Sequence, residues 1–181
     1  MNIKKTDFPG LIYIEPKVFG DSRGWFLETW NEEKYKEIGI IGPFVQDNIS
    51  YSSNGVIRGL HYQKPFTQGK LVFAIHGSIW DVVVDLRRNS PKFGKWIAFT
   101  LTGEKKDQLF VPAGFAHGFC ALSETALVQY KCTDKYSLQS EQGIMWDDPD
   151  LNISWPTDNS LISKKDQKHP YFKDLTDDLL F

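Results

Sequence analysis

The sequence predicts an all-β fold, on the basis of three observations. Short runs rich in β-branched and aromatic residues recur about every ten residues, with turn residues between them. Aromatic side chains make up 14% of the chain, with six tryptophans, and they suit sheets and cavities. No βαβ alternation, repeat or shift in composition divides the 181 residues. We therefore expect one domain over residues 1–181, built as a sandwich or barrel.

Each predicted element has a local signal. Asn54-Gly55 is a strong two-residue hairpin turn, because both residues tolerate positive φ. Asn31, followed by two glutamates, predicts an N-cap and an acidic first turn for a short helix that Gly39 ends. The predicted elements are a hairpin over 11–27, that helix, strands over 44–51, 56–63, 70–75, 79–86, 96–101, 108–111, 118–122 and 126–132, an irregular tail, and a last short helix over 174–180.

The strand after the Asn54-Gly55 turn carries two unusual polar groups. Arg58 and His61 have opposite parity, so a regular pleat would send their side chains to opposite faces. Gly59 lies between them, and a glycine inside a strand often marks a β-bulge that re-aims side chains. We therefore predict a bulge at Gly59 that turns both side chains into one cavity. The alternative is a structural histidine beside a surface arginine.

Composition argues against several classes of partner. The net charge is −2, so there is no basic excess to bind nucleic acid or an anionic membrane surface. The first residues are polar and broken by Pro9-Gly10, and no later run approaches the length of a membrane span. Cys120 and Cys132 lie in apolar, strand-like runs, which indicates buried thiols in a reducing compartment. We expect a cytoplasmic protein.

Residues 112–117 form a second distinctive stretch, with the pattern P-x-G-x-x-H. It makes a tight turn that delivers His117 to the next strand, and it resembles the second sequence motif of the cupins, small jelly-roll barrels. In the first motif, metal-binding cupins have two histidines one residue apart, whereas this chain has His61 and Gln63. An amide is a poor ligand in a transition-metal site, so we expect a cupin without metal. A metal-dependent cupin oxygenase is the alternative.

If no metal polarises a substrate, side chains must do so. Histidine is the natural general base near neutral pH, and a carboxylate partner fixes its tautomer. A lysine ammonium can stabilise a developing oxyanion, and a tyrosine can donate a proton from the other side. Such a set suits proton abstraction next to a carbonyl. The candidates are His61, Lys70, Asp81, His117, Tyr130 and Asp166.

The chain resembles the dTDP-4-dehydrorhamnose 3,5-epimerase family, cupin enzymes of deoxysugar nucleotide synthesis. The resemblance covers nearly the whole chain, through residues 15–24, 44–48, 58–63, 68–72, 81–87, 112–119 and 161–166. It implies a cupin double-stranded β-helix, or jelly-roll barrel, with an N-terminal hairpin extension and short flanking helices. It also implies epimerisation at C3 and C5 of dTDP-4-dehydro-6-deoxy-D-glucose through an enolate, without a cofactor, to give the precursor of dTDP-L-rhamnose.

The resemblance further implies a role for each matching residue. His61 is the base, with Asp166 as its partner, and Tyr130 returns a proton from the opposite face. Lys70 holds the enolate oxygen, with Arg58 nearby. The other substrate contacts are Arg23 and Lys165 at the diphosphate, Phe26, Glu28, Gln46, Asp47 and Asn48 toward the nucleotide, Tyr136 on the thymine ring, and Asp81, His117 and Glu141.

Three points stay open in this resemblance. Lys164 is adjacent to Lys165, so the phosphate ligand is ambiguous by one residue. Family members are dimers that lend the N-terminal hairpin to the neighbour's site, which implies a homodimer here. Relatives that epimerise one carbon of a related dTDP-4-keto sugar share most of these residues, and a non-catalytic sugar-binding cupin is a further alternative.

Overall fold

Two facing antiparallel sheets form the body of the molecule, which confirms the predicted all-β fold. The structure is a computed structural model and describes residues 1–181. The strands are β1 (Asn2–Lys5), β2 (Ile12–Glu15), β3 (Val18–Asp21), β4 (Gly24–Leu27), β5 (Gln46–Ser53), β6 (Val56–Gln63), β7 (Lys70–His76), β8 (Ser78–Asp85), β9 (Trp96–Thr102), β10 (Gln108–Val111), β11 (Phe115–Ala121), β12 (Thr125–Cys132), β13 (Glu141–Gly143) and β14 (Leu161–Ile162).

Helical structure is sparse. Helix α1 spans Glu32–Glu37, and Asn31 caps it by accepting a hydrogen bond from the Lys34 amide, as predicted. Three short 3₁₀ turns lie in the tail, at Asp166–Lys168, Phe172–Asp174 and Asp177–Leu179. No helix has the length and apolar character that crossing a membrane requires.

From β5 to β13 the chain passes back and forth between two sheets, and only β8 and β9 are consecutive strands within the same sheet. The first sheet has the order β1-β2-β10-β7-β12-β5, and the second has the order β13-β6-β11-β8-β9. The short strand β14 from the tail pairs in parallel with β6 of the second sheet. This wrapping of one chain across two sheets is the jelly-roll arrangement of the cupins.

Three apolar clusters hold these layers together. An inner cluster fills the space between the sheets, with Val72, Val83 and Phe119 among its members. A second cluster joins the outer face of the second sheet to the tail, where Leu151, Leu175 and Leu180 pack. A third joins the outer face of the first sheet to α1 through Tyr35 and its neighbours. Both sheets therefore contribute side chains to the interior, and the tail and α1 cover their outer faces.

Strand β8 shows the alternation that the sequence predicts. Val82 and Val84 belong to the cluster under the tail, and Trp80 packs against it. Val83 belongs to the inner cluster. Successive side chains of a strand point to opposite faces, so β8 contributes to both cores.

The predicted last helix over 174–180 is wrong. The chain there forms two 3₁₀ turns with Leu175 in an extended conformation between them. Leu175 and Leu180 both pack against the second sheet. Two residues five apart do not share one face of a regular α-helix, so burying both favours the broken form.

The β3–β4 hairpin stands apart from both sheets. It forms its own two-stranded sheet, and Phe19, Trp25 and Phe26 are 52%, 61% and 67% exposed. An isolated two-stranded hairpin with exposed aromatic side chains is marginally stable in water. These residues therefore form an apolar surface that the single chain leaves uncovered.

Candidate active site

A β-bulge in β6 sets the direction of the central side chains. His117 of β11 is opposite His61 and Phe119 is opposite Arg58, so three steps along β6 match two along β11. Gly59 has φ +124°, and a Cβ there would lie 2.6 Å from the Cα of Gly118. Glycine is therefore required for this close approach. The bulge predicted at Gly59 is confirmed.

The bulge separates the side chains of β6 into two groups. Leu60 and Tyr62 pack outward in the cluster under the tail. Arg58 and His61 line one cavity between the sheets, as the sequence predicts. Arg58 is held there by hydrogen bonds of 3.0 Å to the Ser52 hydroxyl and to the Tyr51 carbonyl of β5.

The first sheet supplies the opposite wall through strand register. Lys70 of β7 is paired with Cys132 of β12, and Tyr130 lies two residues before Cys132 on the same face. On the other side of β12, Gln46 is paired with Cys132 and Asn48 with Tyr130. Side chains that are directly paired across strands share a face, so these five residues line one surface.

Two adjoining cavities lie between these walls and share His61, Lys70, Tyr130 and Glu141. The inner lobe, of about 490 Å³, also contacts Arg58, Ser50, His117, Ser163, Lys165 and Asp166. The outer lobe, of about 250 Å³, also contacts Gln46, Asn48, Gln63, Gln68, Cys132 and Tyr136. Their combined size is in the range of small-molecule sites.

An imidazole–carboxylate pair lies in the inner lobe. Nε2 of His61 is 2.7 Å from Oδ1 of Asp166, and the His61 side chain is 29% exposed. An ionised carboxylate only accepts hydrogen bonds, so the shared proton is on Nε2 and Nδ1 is the basic nitrogen. No protein atom hydrogen bonds Nδ1. The ring therefore presents a free base to the cavity.

Asp166 is held from several directions. Its amide donates to the Ser163 hydroxyl at 3.0 Å, and the Gly59 amide lies 3.5 Å from Oδ2. Burial raises the pKa of the Asp166 carboxyl, but the neighbouring imidazoles of His169 and His61 outweigh burial and hold the pKa well below its usual range. The carboxylate is therefore ionised at neutral pH.

Burial has the largest effect on His61 and lowers its pKa. Asp166 opposes this effect, whereas the charges of Lys70 and His169 add to it. An imidazole with a lowered pKa is neutral at neutral pH and can accept a proton.

Lys70 and Tyr130 provide a cation and an acid on the facing sheet. Burial lowers the pKa of Lys70, and its ammonium makes no salt bridge. Burial raises the pKa of Tyr130 and keeps its hydroxyl protonated. A buried cation without a partner favours a negative charge nearby, and a protonated phenol can donate to a carbanion.

Two further contacts shape the walls. Nε2 of His117 lies 2.9 Å from Asp81, which is fully buried and does not line the cavity itself. At the mouth, Glu141 forms an ion pair with Lys165 and accepts a hydrogen bond of 2.8 Å from the Tyr136 hydroxyl. Lys164 does not line either lobe, so of these two adjacent lysines it is Lys165 that faces the cavity.

Besides Asp81, four of the residues that the resemblance implies as substrate contacts lie away from the cavity within this chain. Arg23 pairs with Asp21 on the exposed hairpin, where Phe26 also lies. Glu28 pairs with Lys34 at 2.7 Å. Successive residues of a strand point to opposite faces, so Asp47 lies on the other face of β5 from Gln46. There it pairs with Lys131 at 2.8 Å.

Some residues of the site had no role in the sequence-based set. Cys132 and Gln63 line the outer lobe, and strand parity relative to Tyr130 and His61 was the signal that could have placed them. His169 follows Asp166 by three residues and lies 3.5 Å from it. Nothing local in the sequence indicated that this histidine is buried beside the pair.

His61, Asp166 and His169 also form the one grouping with metal-ligand chemistry, with donor atoms within 4.8 Å of one another. The nitrogen of His61 and the oxygen of Asp166 are in a hydrogen bond, and the His169 ring lies against Gly143. An ion would have to displace both contacts. We therefore interpret the grouping as a hydrogen-bonded cluster.

An antiparallel jelly roll whose cavity holds an imidazole–carboxylate pair, a buried lysine and a tyrosine defines a cupin equipped for acid–base chemistry. A family model described as dTDP-4-dehydrorhamnose 3,5-epimerase matches residues 5–174. The chain belongs to this family.

Individual relatives agree with this placement. The dTDP-4-dehydrorhamnose 3,5-epimerase of Shigella flexneri is 50% identical over 176 residues, which cover 96% of this chain and 97% of the relative. The solved dTDP-6-deoxy-D-glucose-3,5-epimerase of Legionella pneumophila, in complex with dTDP-4-keto-L-rhamnose, has a TM-score of 0.96 at 47% identity and covers 99% of this chain and 96% of its own. A 3'-monoepimerase of Streptomyces bikiniensis in complex with dTDP-quinovose has a TM-score of 0.85 at 33% identity, over 91% and 84% of the two chains.

Proposed function

We propose that this protein converts dTDP-4-dehydro-6-deoxy-D-glucose to dTDP-4-dehydro-L-rhamnose, a step toward dTDP-L-rhamnose, by inverting C3 and C5. The observation that carries the proposal is a cavity of this family with His61 on one sheet, paired with Asp166 of the tail, and Lys70 and Tyr130 on the facing sheet. Inversion needs a base and an acid on opposite sides of one planar intermediate, and facing sheets provide that arrangement.

In the proposed reaction, Nδ1 of His61 removes the proton from the carbon next to the C4 carbonyl. The C–H electron pair moves into a carbon–carbon double bond, and the carbonyl oxygen becomes an enolate. The ammonium of Lys70 stabilises that oxygen, because it is buried and has no anionic partner. Tyr130 then donates its proton to the opposite face of the carbon. Proton exchange with solvent resets both groups before the second carbon reacts.

The nucleotide would occupy the outer lobe and the mouth. Gln46, Asn48 and Tyr136 provide amide groups and an aromatic face there. Lys165 is already paired with Glu141 at the mouth, so a diphosphate would compete with that carboxylate for the ammonium. Of the other residues proposed as substrate contacts, Arg23 and Phe26 lie on the hairpin and Glu28 follows it, whereas Asp47 lies on the opposite face of β5 from the cavity.

We also propose a homodimer in which each β3–β4 hairpin completes the partner's site. This accounts for the exposed aromatic surface of the hairpin, and for Arg23, Phe26 and Glu28 lying away from the cavity of their own chain. The two cysteines are free and buried, which agrees with the cytoplasmic location that we propose.

Mixing two inactive variants tests the exchange. Arg23→Ala damages the hairpin, and His61→Ala damages the cavity. If the hairpin acts on the partner, each mixed dimer has one intact site, and an equal mixture recovers about a quarter of wild-type activity for statistical exchange of subunits. If the hairpin acted within its own chain, the mixture would stay inactive.

The function itself is tested by incubation with the keto sugar nucleotide in heavy water and location of deuterium by NMR. Deuterium at both C3 and C5 is expected, and His61→Ala should abolish exchange while nucleotide binding persists. Deuterium at one carbon would instead support a mono-epimerase, the activity for which the Streptomyces bikiniensis relative is named. Nucleotide binding with no exchange would mean a sugar-binding cupin, and activity lost to a chelator would mean a metal-dependent one.

A further inference from the structure

His169 is a histidine with a side chain only 12% exposed, and the proposed reaction does not use it. Its Nε2 lies 3.5 Å from Oδ1 of Asp166, the same oxygen that bonds His61 at 2.7 Å. The two imidazole rings meet edge to face, with centroids 5.6 Å apart and an interplanar angle of 75°. Nε2 of His169 is buried and has no well-directed hydrogen-bond partner. The nitrogen is therefore held beside the carboxylate without another function in the fold.

The ring of His169 packs directly on Gly143, which forms its seat. Gly143 of β13 is paired with His61 of β6, so the seat is tied to the strand that carries the base. A Cβ at Gly143 would lie 2.4 Å from Nε2 of His169, and within 2.6 Å of two ring carbons. The Met145 amide also donates to the Pro170 carbonyl at 2.8 Å, which anchors the residue after the histidine. Any other residue at position 143 would displace the ring.

We propose that His169 is a positioning residue: its ring, seated on Gly143, divides the Asp166 carboxylate between two imidazoles and so keeps His61 in the unprotonated form that can remove a proton. A lone pair on Nε2 would repel Oδ1 at 3.5 Å, so the contact favours the tautomer that carries its hydrogen on Nε2. That contact takes up part of the negative charge which would otherwise stabilise a protonated His61. If His169 is itself charged, it repels a second positive ring beside it.

Other charges face His61 and must be separated from this effect. The titratable or charged groups around it are Asp166 and His169 from the tail, Lys70 from β7, Glu141 from β13, and Arg58, His117, Tyr130 and Lys165 around the inner lobe. Only His169 reaches His61 through the shared oxygen of Asp166. The inference rests on the proposed role of His61 as the base.

The test measures the titration of each imidazole by NMR in the ligand-free protein, which has only four histidines. His169→Ala removes the second donor. Gly143→Ala removes no ionisable group but displaces the ring. In both variants we expect His61 to titrate at higher pH than in the wild type. His169→Gln keeps a neutral N–H donor and should stay close to the wild type, and His76→Gln, which removes an exposed histidine elsewhere, is the matched control.

The same variants are then compared in the deuterium-exchange assay across pH. The acid limb of the kcat/KM profile should move to higher pH in His169→Ala and Gly143→Ala, with a several-fold loss on the acid side that disappears in alkali. Unchanged His61 titration in the folded variants would overturn the proposal, as would a loss of rate that is equal at every pH. If His169→Ala fails to fold, the titrations of His169→Gln and Gly143→Ala decide. If the wild-type protein exchanges no deuterium, the proposed function is wrong, whereas the titration of the ligand-free protein still decides the role of His169.

Discussion

Replacing Gly59 by alanine should damage both stability and catalysis, because the new Cβ has nowhere to go. It would lie 2.6 Å from the Cα of Gly118 and 2.8 Å from the carbonyl oxygen of His117. Both are backbone atoms and cannot rotate away. Ordinary carbon contacts begin at about 3.5 Å, so β6 and β11 must separate locally by about 1 Å.

The expected cost has two parts. Holding alanine at φ +124° costs about 1–3 kcal/mol, and weakened pairing of β6 with β11 adds about 1 kcal/mol for each hydrogen bond that is lost. We expect a total of about 3–5 kcal/mol, which lowers the melting temperature by roughly 6–20 °C for a chain of this size. A displacement of about 1 Å at His61 should lower the exchange rate by about 100-fold.

Thermal unfolding and deuterium exchange measure the two effects. Gly39→Ala is the matched control, because Gly39 also has positive φ, +90°, but a Cβ there meets nothing within 4 Å. It should cost only about 1 kcal/mol and leave exchange intact. Equal melting temperatures for the two variants would refute the steric argument. A destabilised Gly59→Ala protein with normal exchange would refute the claim that the bulge aims His61.

Three other substitutions test single groups. Lys70→Met should lower the exchange rate by about 100-fold or more. It should also raise the free energy of unfolding by about 1 kcal/mol, since a half-buried ammonium without a salt-bridge partner is lost, and a less stable protein in thermal unfolding would contradict this. Tyr130→Phe should still exchange deuterium with retention of configuration, while formation of the inverted product falls by about 100-fold. If NMR shows that exchange and inversion fall by the same factor, Tyr130 is not the acid. Asp85→Asn should cost about 3 kcal/mol at pH 7, because Arg87 loses a bidentate partner at 2.6 and 2.8 Å. Burial raises the pKa of Asp85, but its hydrogen bonds with Arg87 and Ser90 lower the pKa overall. The stabilisation is therefore present above about pH 4 and is lost as the pH falls further. Urea unfolding should show the difference in unfolding free energy between wild type and variant shrinking in acid, and a constant difference would contradict this.

Local signals predict most of the strands and the bulge, because parity and glycine act over a few residues. The turn at Asn54-Gly55, the cap at Asn31 and the bulge at Gly59 are all of this kind. Strands β13 and β14 were not predicted, because each is two or three residues long and exists only through pairing with β6. Tertiary packing of Leu175 and Leu180 likewise overrides the helical pattern at the end of the chain.

The residues of the site likewise divide into those that local signals could place and those that depend on tertiary packing. Gln46 and Asn48 could be placed on one face from strand parity, and His61 and Arg58 from the glycine between them. The position of His169 depends on how the tail folds back over Gly143, which no local pattern encodes. The surroundings of Arg23 depend on what covers the hairpin, and a single chain leaves that surface open.

The pair formed by His61 and Asp166 joins residues 105 positions apart. During synthesis, at roughly 5–20 residues per second, the imidazole emerges seconds before the carboxylate that orients it. All strands of the first sheet are complete by Cys132, so that wall precedes Asp166 on the ribosome. In the mechanism proposed above, an unfinished copy, or one clipped within the tail, therefore has a cavity whose base lacks its partner. Such a copy should return sugar nucleotides unchanged, with activity expected only once the tail has emerged and docked.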